Sequence, residues 1–183
     1  MLSINERIEH LIFMCLTKNF TLLIVLIVLV SGCSTLKSNT STERSEIIIW
    51  AKSVVAFKKN YKKETDEFSL IVNKLGYTLP TDDDFLRIKT IHNNITSMYN
   101  ELSMMDPPTK ASEVHKKYIK QYAQASKAIL YYQMCVSQND ISYYEKYASA
   151  AKEGDLVGDD ADESMLELLY QYSITCEEID FCE

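Results

Sequence analysis

Beyond residue 41 the apolar side chains recur in alternating steps of three and four. Ile47, Trp50, Val54, Phe57, Tyr61, Phe68, Ile71 and Leu75 form the first series, with Glu64 standing where the rhythm asks for an apolar residue. That spacing lays one stripe along an α-helix. Thr40 with Glu43 makes a capping pattern before it, and Gly76 is a natural stop after it. A second stripe, Phe85, Ile88, His92, Ile95, Tyr99 and Leu102, opens after Thr81 and Asp82, Asp83 and Asp84. Side-chain oxygens there cap free N–H groups, and negative charge suits the positive helix end. Pro107 and Pro108 close it. A third stripe starts at Thr109 and runs through Val114, Tyr118, Tyr122, Ala125, Ile129, Tyr132 and Val136. The fourth starts near Asp140 and carries Tyr144, Tyr147, Ala151, Gly154, Gly158, Ala161, Met165, Leu168 and Tyr172.

Links of about three to five residues cannot carry the chain back along a rod, so neighbouring helices must run antiparallel. The predicted fold is therefore all-α, an up-down-up-down antiparallel four-helix bundle over residues 42–175. The turns near Gly76 and Ser137 share one end; the proline pair and the C-terminus share the other. A third helix of about 29 residues at 1.5 Å each suggests a rod of roughly 43 Å. Ala151, Gly154, Gly158 and Ala161 remove bulk midway along the fourth helix, which favours close packing over a ligand cavity. Only four Gly and three Pro in the chain leave little material for an all-β fold.

The N-terminal region reads differently. Lys18 precedes an apolar run, Phe20 to Val30, followed by Ser31, Gly32 and Cys33. This is the layout of a secretory signal peptide, and the run falls well short of the about 20 residues that cross a bilayer. Leu29-Val30-Ser31-Gly32-Cys33 resembles the lipobox of bacterial lipoproteins. The resemblance implies that Cys33 is lipidated, that residues 1–32 are cleaved off, and that the protein is held by its lipid on the cell membrane or outer membrane, outside the cytoplasm. Glu6 and Glu9 are foreign to a signal start, and initiation at Met14 would give a compact signal. Residues 33–41, rich in Ser, Thr and Asn, read as a flexible tether. Met105-Asp106-Pro107-Pro108 followed by Val114-His115 and Tyr118, with Glu153-Gly154-Asp155 later, resembles helical-bundle lipoproteins of unknown function, which supply no activity.

A net charge of −7 argues against binding nucleic acid or anionic lipid through bulk electrostatics. After Lys152 no Lys or Arg appears while eleven Asp and Glu follow. They read as a solvated face with an acidic C-terminal tail, residues 176–183; a surface for a basic partner is the alternative.

No haem, di-iron, phosphate-loop, nucleophile-elbow or zinc motif is present, so the expectation is a non-catalytic protein without a cofactor. Counting from the turns brings Glu64, His92 and Asp155 level with Tyr122, and His115 level with Asp162 and Tyr99. A hydrogen-bonded polar layer is the first reading, and a metal or small-ligand site at Glu64, His92 and Asp155 the alternative. Tyr77, Tyr131, Tyr143 and Tyr144 should gather at the turn end as a surface for a partner protein of the envelope. Of the cysteines, Cys176 and Cys182 flank a short loop and are expected to form a disulfide, leaving Cys135 as a free thiol.

Overall fold

In the computed structural model, which describes residues 41–76 and 78–181, helix dominates and the described residues contain no strand. Residues 41–75 form α1. It is followed by α2 (Asp82–Met104), a single 3-10 turn (Thr109–Ala111), α3 (Ser112–Gln138), α4 (Ser142–Gln171) and a short α5 (Cys176–Ile179). The bundle is built by the unit Arg44–Glu183. No described helix is long and apolar enough to cross a membrane.

Side-chain pairs between helices set the topology. Along α1, Glu67 and then Glu64 meet Arg87 and then Asn94 of α2, so the two helices run in opposite directions. Along α3, Lys117 and Lys120 meet Asp160 and Glu153 of α4, again antiparallel. Trp50, Tyr61 and Phe68 of α1 meet His115, Tyr122 and Tyr132 of α3 in the same order, which makes this diagonal pair parallel. The result is the up-down-up-down bundle that the short links require.

The helix ends follow local chemistry. Thr81 caps α2 by accepting from the Asp84 N–H at 3.3 Å, while the Thr81 N–H donates to Asp84 Oδ2 at 3.0 Å. Asp84 is fully buried and also accepts from Lys74 of α1 at 2.7 Å, so this cap doubles as a staple between α1 and α2. The hydrogen bonds from Lys74 and Thr81 hold its carboxyl pKa down at about 2. At the end of α3, Asn139 takes the left-handed conformation (φ 52°), which short polar side chains tolerate. The Asp140 carboxylate then accepts from the Ser142 N–H at 2.9 Å to start α4.

The core has two centres. One gathers Ile47, Trp50, Val54, Leu102, Tyr118 and Met165 at the Arg44 end; the other gathers Phe68, Ile71, Ile88, Ile95, Ile129 and Tyr132 toward the turns. Tyr61 packs against both. Most of the predicted stripe residues fall in these clusters or against them, because an apolar stripe is stable only when another element covers it.

The C-terminal segment departs from the expected acidic tail. Thr175 caps α5, Arg44 of α1 grips Glu178 at 2.9 Å, and Ile174 and Ile179 are buried against the first core centre. Apolar residues set among the acids of this stretch carry enough burial to dock the turn, and the acids sit on its outer side. Cys176 is disulfide-bonded and Cys135 is free, whereas Cys182, the expected partner of Cys176, lies outside the described residues. Cys33 and the rest of the expected export signal lie outside them as well.

Candidate functional site

Two places carry chemistry: a polar network inside the bundle and a recess at its turn end. At a half-buried seam between helices, Lys58 of α1 reaches both carboxylate oxygens of Asp162 on α4, and the Tyr118 hydroxyl of α3 donates to Asp162 Oδ1 at 2.8 Å. Phe181 from the C-terminal turn closes over the Lys58 ammonium, its ring centre 4.7 Å away. Burial first, and then the Asp162 charge, push the Tyr118 pKa far above the ordinary tyrosine value, so its proton stays on and points at Asp162.

Next to this triad, the Tyr122 hydroxyl is buried without a hydrogen-bond partner, as is the side-chain oxygen of Gln121. The Tyr122 ring packs on Tyr61 with centroids 4.7 Å apart. Burial and the nearby Asp155 charge raise the Tyr61 pKa to about 12. Burial raises the Tyr122 pKa as well, so both tyrosines are neutral at physiological pH. The network ties three helices into one register, which is the ordinary work of a buried hydrogen-bonded set.

Glu64, His92 and Asp155 do not converge on one site. Glu64 accepts from Asn94 at 3.1 Å, His92 pairs with the Ser126 hydroxyl at 3.3 Å, and Asp155 is exposed on α4. Ser126 also pairs with Thr96 at 2.8 Å, so His92 belongs to a small polar link between α2 and α3. Among the described residues, no three His, Cys, Asp or Glu side chains are grouped to hold a metal ion.

The other predicted level was one turn out. Asp162 meets Tyr118 and Lys58, whereas His115 meets Trp50, whose indole N–H donates to it. Lys58 was the residue the sequence did not single out. Its only sequence signal was an acidic residue, Asp162, flanking the small-residue stretch of the fourth stripe, where a half-buried carboxylate between helices favours a cation beside it.

The tyrosines at the turn end are split between two surfaces. Tyr131 and Tyr143 lie 6.4 Å apart on the α3–α4 flank, covered by Lys127 and Lys146. Tyr132, Tyr144 and Tyr147 turn toward α1, where Tyr132 and Tyr147 pack edge-on to Phe68. Consecutive residues on a helix point about 100° apart, so Tyr131 with Tyr132, and Tyr143 with Tyr144, cannot share a face. The single patch expected of Tyr131, Tyr143 and Tyr144 is therefore corrected to two, and Tyr77 lies outside the described residues.

On the α1 side, Tyr144 borders an open recess of about 590 Å³, walled by Val72, Leu75, Leu79, Pro80, Tyr132 and Val136. Leu79 is 88% exposed, Ile141 75% and Tyr144 45% at this end, while Ile49, Met104 and Tyr170 are bared in the same way at the Arg44 end. The Cys135 thiol also borders the recess, and burial raises its pKa.

Fold and site together define an all-α bundle with a half-buried polar network between its helices and an open recess at its turn end. Comparison of the chain with protein-family models, with curated proteins and with solved structures finds no match.

Proposed function

We propose that the protein is a lipid-anchored, non-catalytic lipoprotein of the bacterial envelope that holds a partner protein at the turn end of its bundle. The observation that carries the docking reading is the recess between α1 and α3 with Leu79, Ile141 and Tyr144 exposed around it. A recess with large apolar side chains exposed beside it offers a partner surface to bury. The lipid anchor rests on the lipobox resemblance at Cys33. The non-catalytic reading rests on the sequence, in which no familiar catalytic motif was found.

A photo-crosslinking residue at Tyr144 tests the docking, with the full chain expressed in its native membranes. Covalent capture of one protein there, and none from the same residue placed at the exposed Asp159 of α4, is expected; no capture at Tyr144 sinks the reading. Intact mass analysis of the membrane-extracted protein tests the anchor, since an unmodified Cys33 excludes it.

A further inference from the structure

We infer that Cys176 is bonded to Cys182, and that this bond latches the C-terminal turn so that Phe181 covers the Lys58 ammonium until a dithiol reductant releases it. The latch is separate from the turn-end recess. Cys176 is disulfide-bonded, while Cys135 is free. The geometry around α5 singles out the partner. The N–H groups of Asp180 and Phe181 both donate to the Cys176 carbonyl, the second at 3.1 Å, with Asp180 in the left-handed conformation (φ 55°). The chain is thereby folded back beside Cys176 one residue before Cys182, which lies outside the described residues. Consecutive Cα atoms are about 3.8 Å apart, and a disulfide joins Cα atoms roughly 4.4 to 6.8 Å apart. The fold-back thus brings the two cysteines within bonding reach.

What the latch governs follows from how the turn is held. Ile174 and Ile179 are buried against the core and Arg44 grips Glu178 at 2.9 Å, so the chain is fixed by packing as far as Ile179. Asp180 and Phe181 lie beyond that anchor, the first exposed and the second half-buried. A single helical turn has too few internal hydrogen bonds to hold such an end by itself. A covalent tie at the next residue supplies the restraint. The Phe181 ring centre lies 4.7 Å from the Lys58 ammonium, which has the Tyr118 ring and the Asp162 carboxylate on its other sides. Asp180 and Phe181 also wall a recess of about 390 Å³ that Val55, Lys58 and Tyr61 line from α1. Withdrawing Phe181 therefore uncovers Lys58 and widens this recess without breaking the Asp162 pair. The opening step is thiol–disulfide exchange: one thiolate of the reductant attacks a sulfur of the bond and the other sulfur leaves as a thiolate. The second thiol of the reductant then resolves the mixed disulfide, so that two electrons and two protons end on Cys176 and Cys182 and the reductant becomes a disulfide. Cys176 is only half-buried, which leaves the bond open to attack.

The test uses the full chain, oxidised or treated with dithiothreitol. Free thiols are alkylated first, and the bond is mapped without reduction. No Lys or Arg follows Lys152, so trypsin leaves both cysteines in one peptide, and a protease cutting before Asp180 is needed to part them. A linked pair of Cys176 and Cys182 is expected. Acetylation with isotope-labelled acetic anhydride, resolved by fragmentation mass spectrometry, reads the cover. Lys58 should label several-fold faster after reduction, while Lys127 at the turn end should not change. C176S with C182S should label at the reduced rate without any reductant. F181A should do so in the oxidised chain and lose the response to dithiothreitol, whereas F181Y, which keeps a ring, retains it. Trp50, in the core cluster shared with Ile174 and Ile179, should keep the emission of a buried indole throughout. A bond from Cys176 to any other cysteine, equal Lys58 labelling in the two redox states, unchanged labelling in F181A, or a solvent-exposed Trp50 emission on reduction overturns the inference.

Discussion

The indole N–H of Trp50 donates to Nδ1 of His115 at 3.3 Å inside the Arg44 end of the core. An imidazole that accepts at Nδ1 is neutral and carries its proton on Nε2. This ties together the Pro107-Pro108 break and the Val114-His115 and Tyr118 start that follow it. The prolines end α2, Val114 fills the core, His115 receives α1, and Tyr118 reaches α4.

The His115 bond has a pH signature. Burial lowers the His115 pKa, and the carbonyls of Leu102 and Met105 push the other way without offsetting it. The folded protein therefore takes up this proton less readily than the unfolded chain. The stability is complete at neutral pH and is lost as pH falls through about 6.5 and below, where the unfolded chain gains the proton first. His92, whose pKa is lowered by burial, acts in the same direction. Urea midpoints should drop between about pH 7.5 and about pH 5.5, and His115→Gln and His92→Gln should each remove part of that drop. An identical slope in the His115→Gln protein assigns the loss to other groups.

Two buried hydroxyls on α3 should behave oppositely. Tyr118→Phe removes a hydrogen bond to the charged Asp162 and should cost about 1.5 to 3 kcal/mol. Tyr122→Phe removes a hydroxyl without a partner and should be neutral or stabilising. Denaturant unfolding of the two variants measures both. A comparable loss in Tyr122→Phe would mean that the hydroxyl is satisfied in solution.

The two glycines of α4 are not equivalent either. A Cβ at Gly154 would meet Gln124 Cβ at 3.5 Å, an ordinary contact, so Gly154→Ala should add up to about 1 kcal/mol through helix propensity. At Gly158 the added atom would lie 2.3 Å from Gln121 Nε2, so Gln121 must swing away. Gly158→Ala should therefore gain less than Gly154→Ala, and Gln121→Ala in the same chain should restore the difference. Melting temperatures of the three variants decide it, and equal gains at both glycines would show that Gln121 moves freely.

The C-terminal turn gives the last prediction. Ile179 is 1% exposed, so Ile179→Ala should destabilise the bundle by about 2 to 5 kcal/mol. Urea unfolding followed by the single Trp50, which packs in the same core cluster, reads the change. A silent substitution would restore the picture of a loose acidic tail.

Much of the fold was legible along the chain. The period of the apolar residues located the long helices, Thr81 and the aspartates after it started α2, and link lengths alone required antiparallel neighbours. The cap was richer than its sequence pattern, since Asp84 also takes Lys74 from α1. Less of the site was legible. A count of residues from the turns placed Asp162 level with His115, but helices that interlock do not sit flush, and each found a different partner. The four tyrosines were grouped by their height along the rod, a coordinate that carries no information on which way a side chain points.

By itself the sequence determined which face of each helix is apolar and in which direction each helix runs, because both follow from periods and link lengths that are local to the chain. Only the tertiary structure decided that Asp162 is neutralised by Lys58, that Ile179 folds back onto α1, and that the turn end stays open beside Tyr144. Those outcomes depend on how ridges of one helix settle into the grooves of the next. That rotation and axial offset are set by the sum of many weak contacts among distant residues.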